Sequence, residues 1–331
     1  MTLSLHGLGH FHPDSQITNR FLEELDIGTD DEWILERVGI RSRRTALDLD
    51  YIRRTRNRDP RAALEATSYT NAEAGRRAAE VAIERAGIAK SDIGMVIAGS
   101  SAMDTATPAE ACNVARALEL EVPAFDVNSA CTSFFAILHV LSLMQPDKLP
   151  GHVLVVVPES VTRSVDYSDR ASAVLWGDGA VAAVLSTRLP GRASILASRL
   201  HSSPAGADKV VIPRLGHFRQ HGRAVQMFAI KKTAELLGEL QHEYRCEGRR
   251  LHFVGHQANL RMLDAVRREC GVAEDRHHTN VEWFGNTAGA AAPSVVSMRW
   301  EKWAPEDDIA LVGVGAGLTW SSCLVRFGSG A

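Results

Sequence analysis

Phe125-Asp126-Val127-Asn128-Ser129-Ala130-Cys131-Thr132-Ser133 decides the fold. A strand-forming run, Pro123–Val127, ends in a tight turn of small residues. A strongly apolar helix, Thr132–Met144, then begins at the cysteine. This places the sulfur at a helix N-terminus, where the dipole and free N–H groups favour the thiolate. Two readings stay open on this local pattern: an activated nucleophile, or a small buried core cysteine.

The same grammar extends outward in both directions. Residues 71–87 set Ala74, Ala78, Val81, Ala82 and Ala86 at helical spacing, with Gly87 as the stop. Ile93–Ala98 reads as a buried strand, and Thr107-Pro108 as N-cap and first residue of a helix. Val153–Val157 is a continuous apolar strand of the parallel-sheet kind. Val174–Leu185 reads as two short strands broken by Gly177-Asp178-Gly179. In the second half a helix at Val225–Tyr244 precedes a strand at Leu251–Val254 and a helix at Asn259–Cys270. A small-residue buried segment, 286–298, and strands at Ile309–Val314 and Cys323–Phe327 close the pattern. Alternating strands and helices in two successive halves make a layered α/β architecture.

The bulk numbers exclude several classes. The chain has 331 residues, 45% hydrophobic and 23% charged, with a net charge of −3. That length allows about two core units, and the balance predicts neither a nucleic-acid nor a membrane-surface partner. No apolar run approaches the roughly 20 residues needed to span a bilayer. The N-terminal MTLSLHGLGHFHPDSQ lacks the basic start and apolar stretch of a signal peptide. The five cysteines, Cys112, Cys131, Cys246, Cys270 and Cys323, are odd in number and widely spaced. They make neither a disulfide framework nor a structural zinc site, and a reducing, cytoplasmic location is expected. The four besides Cys131 read as structural residues inside helices or strands. His10 with His12, and His277 with His278, read as surface residues, and no metal is expected.

Three further segments carry chemistry. Gly255-His256-Gln257-Ala258-Asn259 follows an apolar strand, where open α/β sheets place ligands and catalytic groups. Phe284-Gly285-Asn286-Thr287-Ala288-Gly289-Ala290 is again small and polar before a buried helix; Asn286 reads either as a site residue or as a helix cap. Gly313-Val314-Gly315-Ala316-Gly317-Leu318 imitates a dinucleotide fingerprint, but Leu318 stands at the third glycine and no βαβ unit follows. A turn that aims backbone N–H groups at an oxyanion fits better. Residues 41–63 concentrate Arg41, Arg43, Arg44, Arg53, Arg54, Arg56, Arg58 and Arg61. They form either a solvated connection or a docking surface for an anionic partner such as an acyl carrier protein.

Taken together, these motifs resemble β-ketoacyl-acyl carrier protein synthase III. The resemblance runs through Ile17-Thr18-Asn19, Asp31-Glu32-Trp33-Ile34, Arg37, Gly39-Ile40-Arg41 and the cysteine turn. It continues through Asp169-Arg170, Gly177-Asp178-Gly179-Ala180, residues 255–261, Gly285-Asn286-Thr287, residues 315–320 and Leu324-Val325-Arg326-Phe327. It implies a thiolase fold, layered αβαβα, with an N-terminal half over 1–187 carrying the cysteine. The other half, 188–331, would carry the histidine and asparagine. It implies a homodimer using acyl-CoA and acyl carrier protein, with coenzyme A as part of the substrate and no cofactor. Cys131 would be the nucleophile, with its own N–H and that of Ala316 as oxyanion hole. His256 and Asn286 would stabilise the enolate from a decarboxylating malonyl thioester. Trp33 and Arg170 match an adenine-stacking pair. Arg37 and Arg261 match basic positions near the coenzyme phosphates or carrier protein, Asn259 belongs to the substrate-binding box, and Thr107 caps the partner's acyl tunnel.

The departures bear on the pathway. Met227 stands where the family usually has a basic residue, with Lys231 or Lys232 as substitutes. The stretch between Arg44 and Asn71 is longer than usual, and the segment around Ala288-Gly289 is altered. Fatty-acid or polyketide-type condensation is the leading expectation. An acyltransferase of the same fold, acting on a small-molecule acceptor without decarboxylation, is the alternative. A non-catalytic partner subunit is disfavoured by the intact Cys131, His256 and Asn286.

Overall fold

The computed structural model describes residues 3–328 except Leu215 and Cys246, so the expectation for Cys246 lies outside the described residues. Nine strands form one mixed sheet: β1 Leu3–Phe11, β2 Ile93–Ala98, β3 Ala124–Asp126, β4 His152–Glu159, β5 Gly179–Ser186, β6 Ala193–Ser202, β7 Arg250–Val254, β8 Asp307–Gly315 and β9 Thr319–Phe327. Their spatial order is β7-β8-β9-β6-β1-β5-β4-β2-β3. β2 pairs in parallel with β3 and β4, and β7 with β8, while the other pairs are antiparallel. Strands up to residue 186 lie on one side of the β1–β6 seam, and those from 193 onward on the other.

The principal helices are α1 Asp31–Arg37, α2 Asn71–Ala86, α3 Glu110–Ala117, α4 Ser133–Leu143, α5 Gly222–Glu243, α6 Leu260–Glu269 and α7 Ala291–Met298. Helices α2 and α3 pack on one outer face, α5 and α6 on the other, and α4 with α7 between the two halves of the sheet. The central position of α4 explains its apolar composition: Phe134, Phe135, Ile137, Leu138 and Leu141 are all buried. Burial of each such side chain contributes about 1.5–3 kcal/mol. Helix α2 starts where Thr70 accepts the Glu73 N–H at 3.1 Å and stops at left-handed Gly87. Its alanine face lies against β1 so closely that a Cβ on Gly7 or Gly9 would come within 2.1 Å of the Ala82 or Ala78 carbonyl oxygen. Among the described residues no helix is long and apolar enough to cross a membrane.

Several expectations are corrected. Thr107-Pro108 does not open α3. The helix begins at Glu110, because the Asp126 carboxylate, from the neighbouring strand, accepts the Glu110 and Ala111 N–H groups at 2.7 and 2.8 Å. Residues 174–178 do not form a strand. Asp178 is buried and accepts from the Ala46 and Thr162 N–H groups, which turns the chain before β5 begins. The Arg-rich segment is not wholly solvated, since Arg43 is buried and donates to Asn19 and to the Val174 carbonyl.

Neither histidine pair lies on the surface. His10 bonds Ser297 at 2.8 Å, and His12 stacks on Phe284 at 4.0 Å. His278 is buried and bonds His252 at 2.9 Å, while His277 stacks on Phe253. Burial lowers the pKa of His10 and His277 to about 4, and of His12 and His278 to about 3. These lie below the unfolded value near 6.5, so folding holds the neutral form. Their contribution is present above pH 6.5 and lost as pH falls toward 3. The thermal midpoint should therefore drop between pH 6.5 and 4. A level midpoint across that window, followed by circular dichroism, would contradict the assignment.

Candidate active site

A cavity of about 460 Å³ receives Cys131, His256, Asn286, Ala316, Trp33, Arg37 and Asn259 on its walls. Each polar group arrives at the end of an apolar element. Cys131 sits in a 3-10 turn, Ala130–Thr132, one turn ahead of α4. Gly315 ends β8 against it, where a Cβ would lie 3.1 Å from the Cys131 Cβ and 3.3 Å from its nitrogen. That approach brings the Ala316 N–H to the sulfur beside the N–H of Cys131 itself.

The thiol is not pre-ionised, contrary to the expectation drawn from the helix dipole. Burial pushes its pKa up to about 12, and the Glu159 carboxylate adds to this. The two N–H groups and the Ser101 hydroxyl pull it down without overcoming the burial.

His256 is buried after β7, and burial alone lowers its pKa to about 4. It is therefore a neutral imidazole at neutral pH. Asn286 uses its amide oxygen to accept the Ala288 N–H at 2.9 Å, which leaves the amide nitrogen as the side chain's remaining polar group. It is not the cap of α7, whose N-cap is Ala290. Gln257 ties its turn to the start of the short helix Val281–Phe284 that precedes Asn286: its amide oxygen accepts from the Asn280 and Val281 N–H groups at 3.0 and 3.3 Å. The cavity thus sets one thiol, two neutral hydrogen-bond donors and backbone N–H groups against apolar walls that include Phe218, Val225, Phe228 and Leu318.

Four other predicted site residues have defined places. Arg170 lies off the cavity wall, donates to the Gly28 carbonyl and stacks over Trp33 at 4.9 Å; Arg37 reaches the same ring at 4.8 Å. Arg261 binds the Leu35 and Glu36 carbonyls at the end of α1. Asn259 lines the cavity, but its oxygen caps α6 and its nitrogen donates to the Arg37 carbonyl. Thr107 is exposed and does not line this chain's cavity. Met227 is 64% exposed, Lys231 and Lys232 pair with Glu235, and none of the three lines this cavity.

The sequence reading assigned no role to Ser101, Glu159 or Gln257, although Gln257 stands in its Gly255–Asn259 box. The available signal for Glu159 was an acid at the end of the otherwise apolar run 153–159.

Two family models match the chain: 3-oxoacyl-[acyl-carrier-protein (ACP)] synthase III over residues 125–204, and its C-terminal counterpart over 251–327. The β-ketoacyl-[acyl-carrier-protein] synthase III of Oceanobacillus iheyensis is 31% identical, covering 99% of this chain and 100% of its own. The solved 3-oxoacyl-(acyl carrier protein) synthase III of Pseudomonas aeruginosa is 28% identical with a TM-score of 0.85, covering 100% of both chains. A priming β-ketosynthase from a polyketide biosynthetic pathway is 25% identical with a TM-score of 0.78, over 98% of this chain and 96% of that one. The layered architecture is accordingly that of the thiolase fold.

Proposed function

The chain belongs to the 3-oxoacyl-[acyl-carrier-protein] synthase III family of condensing acyltransferases, and on that premise we propose that it moves an acyl group from a coenzyme A thioester to Cys131 and then condenses it with a malonyl thioester. The Cys131 sulfur attacks the thioester carbonyl, and the carbonyl oxygen gathers charge against the N–H groups of Cys131 and Ala316. The C–S bond to coenzyme A then breaks, and the departing sulfur takes up the proton that Cys131 lost.

In the second half, the bond from the malonyl carbon to its carboxylate breaks and carbon dioxide leaves. The electron pair passes to an enolate whose oxygen is held by His256 and Asn286. The enolate carbon attacks the acyl carbonyl, the C–S bond to Cys131 breaks, and the thiolate takes one proton from solvent, the proton that decarboxylative condensation consumes overall. The observation that carries this reading is the meeting of Cys131, neutral His256 and the Asn286 amide in one apolar cavity. Neutral donors stabilise an enolate, whereas a base would suit plain transfer to an acceptor. No cofactor is required by these steps.

Other parts of the reading have separate support. A homodimer is supported by the position of β3 at the end of the sheet and by the exposed residues 105–108 beside it. An acyl carrier protein as the malonyl carrier is supported by the exposed guanidinium groups of Arg53, Arg54, Arg58 and Arg61. Cytoplasmic work on fatty-acid or polyketide precursors follows from these substrates.

Incubation with an acyl-CoA should add one acyl mass to the protein, and addition of malonyl carrier protein should then release carbon dioxide. Acylation without carbon dioxide release would leave the transfer reading in its place. Trp33 is read as the stacking surface for the adenine of coenzyme A, with Arg37 and Arg170 around its ring. Trp33→Ala should weaken use of acyl-CoA by about 1–3 kcal/mol, the scale of base–aromatic stacking. An unchanged KM for acyl-CoA would make Trp33 a packing residue.

A further inference from the structure

The cavity has an exposed end and a buried end. Arg37, Gly222 and Gln226 on its wall are exposed. Val174, Trp176, Phe218 and Leu318 share the wall with Cys131, and each is at most 5% exposed. A thioester whose carrier stays in water enters from the exposed end. Its acyl group then has the buried end to occupy, where removal of apolar surface from water favours it.

Two aromatic rings stand at that end. Trp176 and Phe218 meet edge to face, with ring centroids 4.7 Å apart and planes at 69°. Cys131 belongs to the same buried apolar cluster as both rings, and the cluster continues through Val161 and Val165, which are fully buried. Backbone bonds hold both rings in place. The Asn286 N–H donates to the Leu175 carbonyl at 2.8 Å, and the Gly177 N–H donates to the Asn286 carbonyl at 3.1 Å, so Trp176 is bridged directly to Asn286. The Phe218 N–H donates to the Ser164 carbonyl at 2.8 Å. The indole is therefore set at a fixed place relative to one of the two enolate donors.

We propose that Trp176 and Phe218 are the floor of the acyl site and restrict Cys131 to short acyl groups, so that chain length is set within one subunit. The proposal rests on Cys131 being the acylated residue, and it names the class of donor for that step. The family resemblance gives the capping role to Thr107, which is exposed and off this chain's cavity; the two rings lie on it. A close-packed wall yields little to extra volume. Each further methylene of a longer chain must displace a pinned ring or stay in water.

Trp176 allows the volume to be tested alone. Its indole N–H has no hydrogen-bond partner among the described residues, so Trp176→Phe removes ring volume and breaks no hydrogen bond. Phe218→Leu removes volume from the second ring. Cys131 acylation is followed by intact mass with acetyl-, butyryl-, octanoyl- and dodecanoyl-CoA. The wild type should react with butyryl-CoA about tenfold or more faster than with octanoyl-CoA, on the scale of about fourfold for each methylene left unburied. Each variant should raise the octanoyl-to-butyryl ratio by about fourfold for every methylene it newly admits. A wild type that takes octanoyl-CoA at least as fast as butyryl-CoA overturns the proposal. Folded variants that keep the wild-type ratio do so as well, because the stop then lies elsewhere. Circular dichroism checks folding, and Phe218→Leu carries the test if Trp176→Phe does not fold.

Alkyl methanethiosulfonates separate this floor from the proposed reaction. They transfer an S-alkyl tail to the cysteine sulfur, with methanesulfinate as the leaving group and the thiol proton passing to solvent, and they need neither a thioester nor coenzyme A. Read at the Cys131 peptide, the butyl reagent should react faster than the octyl reagent, and Trp176→Phe should narrow the gap. That result in a protein that accepts no acyl-CoA would sink the proposed reaction and leave the floor standing. Equal butyl and octyl rates in the wild type overturn the floor, whether or not acyl-CoA is used.

Discussion

Cys131→Ala should abolish covalent acylation outright while the protein still folds. Cys131 is 9% exposed and packed between the end of β8 and the first turn of α4, so alanine removes one sulfur atom and introduces no polar group. The loss of a small buried side chain is tolerated at modest cost. The chemical loss is total, because the other described cysteines are not placed to replace it. Cys323 is buried within β9, and burial raises its thiol to about 12 with no N–H cradle. Cys112 is exposed on α3, and Cys270 caps α6; neither lines the cavity. Intact-mass measurement after incubation with acyl-CoA reads the result directly. A stable acyl adduct on the folded variant would remove the central assignment, and peptide mapping would show which residue carried it.

The parts of this site that were legible in the sequence share one form: an apolar run that ends in small polar residues. Cys131, His256 and Ala316 follow that rule, each local to its own strand and turn, while Asn286 follows the short helix Val281–Phe284 and Gly285. The cavity that joins them adds only distance information. What was not legible depends on contacts between distant segments. Asp126 takes the capping role that Thr107 was expected to play, because β3 brings its carboxylate to the start of α3. β1 was missed because Gly7 and Gly9 interrupt its apolar alternation, and the reason for them is the backbone of α2 some 70 residues away. The thiol's protonation was misjudged for the same reason. A helix N-terminus is visible in sequence, but the burial that outweighs it, and the carboxylate behind it, come from distant segments, among them Glu159 and residues 315–316, folding around one sulfur.

His256→Ala and Asn286→Ala should separate the two half-reactions. Each removes one neutral donor from the place where enolate charge develops, and loss of such a donor costs about 10²–10³ in rate, or roughly 3–4 kcal/mol. Condensation and malonyl decarboxylation should fall by that factor in both variants. Acylation of Cys131 should persist, because the oxyanion donors for that step are the backbone N–H groups of Cys131 and Ala316, which neither substitution touches. The asparagine result is the sharper of the two. The Asn286 amide oxygen is fixed by the Ala288 N–H, so the amide cannot turn over to offer an acceptor without breaking that bond. Its contribution is therefore donation alone, and Asn286→Asp, which puts an acceptor of equal size in place of the amide nitrogen, should be at least as damaging as alanine. His256 is tested by pH as well as by substitution. Its pKa of about 4 keeps the imidazole neutral through the working range, so the decarboxylation rate should show no inflection near 6.5. An Asn286→Ala protein that forms product at the wild-type rate would show that no enolate is held there, and the chemistry would reduce to acyl transfer from Cys131 to an acceptor.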